Sequence, residues 1–362
     1  MTENTGKASD IILKVDNASA SFSVGGEIHR AVSNVTLEVK RGEILGVVGE
    51  SGSGKTTLAR MIVGIYTPDD GEIYYEGERI RAGVESKRAA LREIDARGRV
   101  EFFKLIRSFF KLKAERERII KEARDVNDSL QLERRKLLKY IKDVKRSIGR
   151  GRSAHPKIQM IFQDPTASLN PRMTIGEIVS EGLIIKGVYS REEIDKRVDE
   201  VLLSVGLSPE CKSRYPSEFS GGQKQRIGIA RAIIMEPELI IADEPVSALD
   251  VSIGAQVINL LFDLKERLGL SIIFIAHDLS VVRHVTDRVA VMYRGRLVEL
   301  ASTEELFDNA LHPYTRSLLS AMPHPDPRRE RRGGARTPRY EIEPKGELVE
   351  ALPGHFLLEE VK

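Results

Sequence analysis

One cysteine, no tryptophan and no long apolar run are the first facts about this chain of 362 residues, and each closes off a class of protein. Cys211 alone excludes an internal disulfide framework, and it excludes a cysteine-rich zinc or iron–sulfur site built by this chain. A reducing, cytoplasmic setting fits. No stretch reaches the roughly 20 consecutive apolar residues that a membrane-spanning helix needs, and the polar start Met1-Thr2-Glu3-Asn4 does not read as a signal peptide. Any membrane role must come through a partner. What is present is a hydrophobic share of 41%, enough for the core of one large domain or two modest ones.

The formal net charge of +3 conceals a local imbalance. Residues 84–154 hold 22 lysines and arginines against 11 acidic residues, a surplus of +11, while the rest of the chain has 35 basic against 43 acidic residues, or −8. That segment also lacks strand character. Apolar residues recur at Leu105, Phe109, Leu112, Ile119, Ala123 and Val126, then at Leu130, Leu137, Ile141, Val144 and Ile148, with polar interruptions at Arg116 and Arg134. The spacing predicts an antiparallel helical hairpin with arms 99–125 and 129–149, a turn at Asp125-Val126-Asn127-Asp128-Ser129, and a cap on the second arm from Asp128 or Ser129. Gly98 and Gly149 bracket it, and Phe102, Phe103, Phe109 and Phe110 form either its buried base or an apolar patch.

Around this segment, strands and helices alternate. Residues 11–15, 35–39 and 44–48 read as strands, 57–64 as a helix and 71–75 as a strand; Lys157–Phe162 then resumes where that strand leaves off. Helical stretches follow at 176–185, 192–205 and to about 234, then buried-type strands at 239–242 and 271–276 flank a helix over 251–267. This order predicts an α/β fold with a parallel sheet. From Pro323 the composition turns to Pro, Arg and Gly, a linker, with one or two small strands at 347–349 and 356–358.

The chemistry starts at Gly49-Glu50-Ser51-Gly52-Ser53-Gly54-Lys55-Thr56, a P-loop with an apolar strand before it and helical spacing from Thr57 onward. Glycines let backbone N–H groups converge on phosphate oxygens, and the following helix presents its positive N-terminus. Gly49, Ser51, Gly52, Ser53, Gly54, Lys55, Thr56 and Thr57 are therefore the expected ATP-binding residues. Lys55 would bridge the β- and γ-phosphates, and the Thr56 hydroxyl would ligate Mg²⁺. Asp243 and Glu244 end another apolar strand, at the sheet edge where ligands bind in open α/β folds. Asp243 is expected to hold Mg²⁺ through water, and Glu244 to act as general base toward the water attacking the γ-phosphate.

Further strings accompany the P-loop: Phe219-Ser220-Gly221-Gly222-Gln223-Lys224-Gln225-Arg226, Gln163 after Met160-Ile161-Phe162, Ser247-Ala248-Leu249-Asp250, and His277 after Phe274-Ile275-Ala276. In this order they resemble the motifs of ABC ATPases over 11–323, apart from the insertion. The resemblance implies a P-loop NTPase nucleotide-binding domain with a RecA-like core and a helical subdomain, interrupted by the 84–154 hairpin and followed by a small C-terminal extension over 324–362. It implies that Ser220, Gly221, Gly222 and Gln223 contact ATP held by a partner subunit, that Asp250 lies in the D-loop crossing to the opposite site, and that His277 senses the γ-phosphate. Gln163 would contact Mg²⁺ and the attacking water. Phe22 sits where the family stacks an aromatic on adenine, though a plain core role stays open for it.

Gln163-Asp164-Pro165-Thr166-Ala167-Ser168-Leu169-Asn170-Pro171-Arg172, Asp243–Ile253 and His312-Pro313-Tyr314-Thr315-Arg316 narrow the resemblance to dipeptide/oligopeptide importers, and the middle string to their second, F-type ATPase subunit. Such a subunit implies a heterodimer with a second homologous ATPase. It also implies two transmembrane permeases, an extracellular or periplasmic binding protein and a peripheral place on the cytoplasmic face of the membrane, serving peptides or oligosaccharides. Residues 324–362 hold no cysteine, so the iron–sulfur cluster of many relatives is not expected.

The competing class is a soluble ABC ATPase acting on nucleic acid or the ribosome, which a basic hairpin could suit. DNA-repair and chromosome-structure ATPases insert their coiled coil after the Q-loop, whereas this insertion precedes Gln163; translation factors carry two cassettes, whereas this chain has one P-loop. Transport, with no nucleic acid as partner, is the expectation. For the hairpin two readings stand: a solvated pair stabilising the domain or the partner ATPase, or a contact with anionic lipid headgroups.

Overall fold

Two kinds of apolar sequence build two kinds of sheet in this chain. A computed structural model describes residues 10–109, 116–150, 155–187, 189–322 and 342–359, with the backbone alone at 98–99, 101–109, 116–123 and 145–150. Along the chain, β1 (Ile11–Val24) and β2 (Glu27–Lys40) form a hairpin across Gly25 and Gly26, and β3 (Ile44–Val48) leads to α1 (Lys55–Val63). A second hairpin of β4 (Asp70–Tyr75) and β5 (Glu78–Ala82) precedes the long helices α2 (Glu85–Phe109) and α3 (Arg116–Arg150). Then come β6 (Ile158–Ile161), α4 (Pro165–Ser168), α5 (Ile175–Lys186), α6 (Arg191–Ser204) and α7 (Gly221–Ile233). The remainder is β7 (Leu239–Asp243), α8 (Val251–Leu268), β8 (Ser271–Ala276), α9 (Leu279–Val285), β9 (Arg288–Tyr293), β10 (Arg296–Ser302), α10 (Thr303–Asp308), α11 (Pro313–Ser320), β11 (Glu347–Leu352) and β12 (His355–Glu359).

The first sheet runs β2-β1-β4-β5 and is antiparallel throughout. The second runs β11-β12-β10-β9-β3-β8-β7-β6, with β9, β3, β8, β7 and β6 mutually parallel. Every residue of β3, β7 and β8 is buried, because a parallel sheet is covered on both faces. That explains their unbroken apolar runs. β6 pairs with β7, so it does not extend the strand at 71–75: β4 and β6 belong to different sheets.

The hairpin differs from its expected outline. α3 passes straight through Asp125–Ser129, where a turn was expected, and the Ser129 hydroxyl donates to the Val126 carbonyl at 2.8 Å. Ile119, Ala123, Val126, Leu130, Leu137, Ile141 and Val144 keep one helical phase across this stretch in sequence, and Asp125, Asn127, Asp128 and Ser129 are exposed, so the helix runs on. α2 starts at Glu85, so Gly98 lies within it, and Gly149 lies within α3. The connection falls at 110–115, outside the described residues, as do Phe110 and the side chains of Phe102, Phe103 and Phe109. Arg134 Nε lies 3.0 Å from Asp95 and Arg97 lies 3.7 Å from Glu133, which fixes the pair as antiparallel. At 1.5 Å per residue, the 35 residues of α3 extend about 50 Å. Its base is rooted: Ile141 and Val144 pack with Ala82 and Val84, and the Tyr140 hydroxyl donates to Glu72 at 2.7 Å.

At the other end, β12 pairs with β10, so the C-terminal strands extend the main sheet. Among the described residues no helix is long and apolar enough to cross a membrane.

Candidate functional site

Four adjacent parallel strands, β3, β8, β7 and β6, carry the chemistry-bearing residues at or just past their C-terminal ends: the P-loop, His277, Asp243 with Glu244, and Gln163. Parallel pairing is what gathers them. Residues separated by more than two hundred positions in sequence therefore share one edge.

The P-loop leaves β3 at Gly49 and enters α1 at Gly54, both at positive φ, where a side chain would collide with the carbonyls of Met292 and Ala31 respectively. Gly54 also caps α1 without any side-chain hydrogen bond, so the first N–H groups of the helix have no competing cap. Lys55 is buried and folds back over the loop. Its Nζ donates to the carbonyls of Gly49 (2.7 Å) and Glu50 (2.9 Å) and more distantly to Ser53 Oγ (3.4 Å). Burial lowers the Lys55 pKa from its ordinary range, while the charges of Glu244, Asp243 and Glu50 oppose that shift.

The Thr56 hydroxyl donates to Asp243 Oδ1 at 3.1 Å. Asp243 is buried, and burial raises its pKa. A hydroxyl and a carboxylate, side by side at the head of an anion-binding helix, are hard oxygen donors of the kind Mg²⁺ accepts. Among the described residues no group of three His, Cys, Asp or Glu could cage a metal, so an ion at this point would depend on phosphate and water for its other ligands.

Glu244 is the meeting point. Gln163 Nε2 donates to its Oε2 at 3.0 Å, and His277 Nδ1 lies 3.1 Å from the same oxygen. Glu244 holds φ at 45°, a left-handed conformation uncommon outside glycine, and its N–H donates to the Ile275 carbonyl at 3.0 Å. The strained residue is thereby pinned to β8. Just beyond it, Asp250 caps α8 by accepting from Ile253 N–H at 3.0 Å, and this bond lowers its pKa.

The signature lies elsewhere on the surface. Ser220 caps α7 and shares a capping box with Gln223, at 3.4 Å to the Gln223 N–H and 3.0 Å from the Ser220 N–H to Gln223 Oε1. Ser220, Gly221 and Gln223 are exposed; Gly222 is buried against Ile253 of α8, with no room for a Cβ. Among the described residues no hydrogen bond joins this stretch to the P-loop of its own chain. Phe22, near the end of β1, is half-buried, its ring edge-on to Tyr66 at 5.1 Å.

Comparison with known proteins bears on this constellation directly. The family model described as ABC transporter matches residues 32–137 and 116–247, and that described as oligopeptide/dipeptide transporter, C-terminal region, matches 298–346. The oligopeptide transport ATP-binding protein OppF of Bacillus subtilis is 41% identical over 357 residues, covering 96% of this chain and 95% of that protein. This chain belongs to the ABC transporter ATP-binding family. OppF of Escherichia coli is 46% identical over 299 residues, covering 82% of this chain and 71% of that protein. Among solved structures, cbiO1 of Clostridium perfringens, part of an ABC transporter complex, superposes with a TM-score of 0.57 at 26% identity, covering 83% of this chain and 92% of that one. A dimeric ATP-binding cassette in a post-hydrolysis state with ADP and phosphate gives 0.55 at 28% identity, covering 80% and 98%.

As an ABC cassette the chain binds and hydrolyses ATP. Sequence reasoning assigned no role to one residue that the fold brings to the P-loop: the Tyr314 hydroxyl accepts from the Glu50 N–H at 3.0 Å. The signal was present in His312-Pro313-Tyr314-Thr315, read only as family wording.

Proposed function

We propose that this cassette is the F-type ATPase of an oligopeptide/dipeptide importer, working as a heterodimer with a second ATPase beneath two permeases fed by a binding protein, on the cytoplasmic face of the membrane. The match of 298–346 to the oligopeptide/dipeptide transporter C-terminal region carries the importer reading, and the convergence of Gln163 and His277 on one oxygen of Glu244, on the edge that also carries Lys55, supports its ATPase chemistry. In it, Lys55 releases the loop carbonyls to meet the β- and γ-phosphates. Thr56, Asp243 and Gln163 would hold Mg²⁺, which supplies charge neutralisation on those phosphates. Glu244 accepts the proton of the attacking water, and His277 and Gln163 hold its carboxylate in line. Phe22, with Tyr66 against its edge, offers a face to adenine.

The exposed signature supports a composite site, since Ser220, Gly221 and Gln223 face solvent and, among the described residues, make no hydrogen bond to their own P-loop. Arg135, Lys136, Lys139 and Lys142 on the outer side of α3, with exposed Leu132 and Leu138, support contact of the hairpin with anionic headgroups, each basic residue contributing about 1 kcal/mol near such a surface. Affinity purification of the tagged chain from native membranes tests the assembly. Two distinct permeases and a non-identical ATPase are the expected companions; recovery with ribosomes or nucleic acid, free of permeases, would overturn the transport reading.

A further inference from the structure

The P-loop touches a segment that lies more than two hundred and fifty positions downstream. Tyr314, in the first turn of α11, accepts the Glu50 N–H on its hydroxyl at 3.0 Å. That N–H and the Gly49 carbonyl belong to one peptide unit, and the Gly49 carbonyl is the acceptor of the shortest hydrogen bond made by Lys55, at 2.7 Å. Gly49 has no side chain to restrict this unit, and its φ of 150° lies where only glycine is at ease. The peptide is thus held from two sides, by Lys55 within the loop and by Tyr314 from outside it.

Tyr314 is held firmly enough to do so. Its ring packs on Tyr293 of β9 with centroids 4.2 Å apart, and the residue is 2% exposed. The His312 imidazole caps the helix by accepting the Tyr314 N–H at 3.1 Å. Preceding backbone N–H groups, those of Leu311 (2.6 Å) and His312 (3.1 Å), donate to the carboxylate of Glu299, which is fully buried on β10 and also lies 2.8 Å from His355 Nε2 of β12. Burial pushes the Tyr314 hydroxyl up to about 12, so it stays neutral across the physiological range.

We infer that Tyr314 is a positioning residue for ATP binding: its hydroxyl orients the Gly49–Glu50 peptide and through it poises Lys55, so the C-terminal region completes the nucleotide site from behind. Unlike the phosphate-contacting residues, it acts without touching nucleotide. The inference rests on the ATP-site reading of the P-loop.

Fluorescent ATP-analogue titration of the full-length chain tests it, with Tyr314→Phe measured alone and in a Lys55→Ala background. The ring, and with it the Tyr293 contact, survives the substitution. Kd is expected to rise about five-fold, the size of one neutral hydrogen bond, in the otherwise native chain and to change little once Lys55 is gone. An unchanged Kd in the single variant, or the same rise in both backgrounds, overturns the inference. A wild-type chain that fails to bind the analogue would instead sink the ATP-site reading. Should Tyr314→Phe not fold, hydrogen exchange in the wild-type chain decides: the Glu50 amide is expected to be protected without nucleotide, and free exchange there overturns the inference.

Discussion

The P-loop and the signature are both glycine-bearing stretches that open a helix, yet their N-terminal N–H groups are treated in opposite ways. α1 begins on Gly54 with no side-chain cap, while α7 begins on Ser220 inside a complete capping box with Gln223. An uncapped helix start leaves donors and dipole available to phosphate; a capped one has its first donors already engaged. The surroundings divide the two stretches the other way. Lys55 is buried among carbonyls supplied by its own loop, whereas Ser220, Gly221 and Gln223 face solvent, with Ser220 and Gln223 capping one another and the Ser220 carbonyl accepting the Lys224 N–H. The P-loop helix keeps its first donors open while its lysine is engaged, and the signature helix is capped but exposed.

The largest effect that bears on this division is expected at Glu244. Glu244→Gln keeps the size of the side chain and can still meet Gln163 and His277, but it removes the basic oxygen. Turnover by the assembled transporter, read as phosphate release, is expected to fall at least about 100-fold, with ATP binding retained. Near-normal turnover would take the general base away from Glu244.

A paired experiment addresses the comparison itself. Lys55→Ala should weaken ATP binding by the isolated chain roughly ten-fold or more, since it deletes the cation placed among the loop carbonyls. Ser220→Ala should leave that binding unchanged while lowering folding stability by about 1 kcal/mol through the lost cap. In the assembled transporter, however, hydrolysis should suffer from both. Equal losses of ATP binding by the isolated chain in the two variants would erase the distinction between a self-contained and a shared site.

Legibility in the sequence followed the same line between local and distant causes. The buried strands β3, β7 and β8 were plain as apolar runs, and the motif order identified the family, because each signal is carried by a handful of adjacent residues. The hairpin was visible as a basic helical insertion, but its turn was misplaced: Asp125–Ser129 has turn composition, and composition alone does not reveal that the apolar stripe on either side keeps one helical phase. The strands at 71–75 and 157–162 read alike, though pairing with β1 and β7 sends them to different sheets, a choice made by partners far along the chain. The contact of Tyr314 with Glu50 was illegible for the same reason: 264 positions separate the two residues.

The smallest effect concerns pH and the support behind the P-loop. Behind the P-loop lies His312, buried and capping α11; burial lowers its pKa below the usual value near 6.5, with the charge of Glu299 opposing. His155, whose ring lies beside Tyr75, is lowered by burial and by Arg81. For each, the neutral form is the one the fold prefers. As pH falls below about 6.5 the unfolded chain takes up protons before the folded one, so stability is full above that value and declines beneath it. Melting curves from pH 8 to pH 5 should show this decline. His312→Asn, which keeps an acceptor for the Tyr314 N–H but does not titrate, should flatten it in part, with His155 supplying the remainder. An unaltered slope in that variant would mean that acid reaches the P-loop side through some group other than the α11 cap.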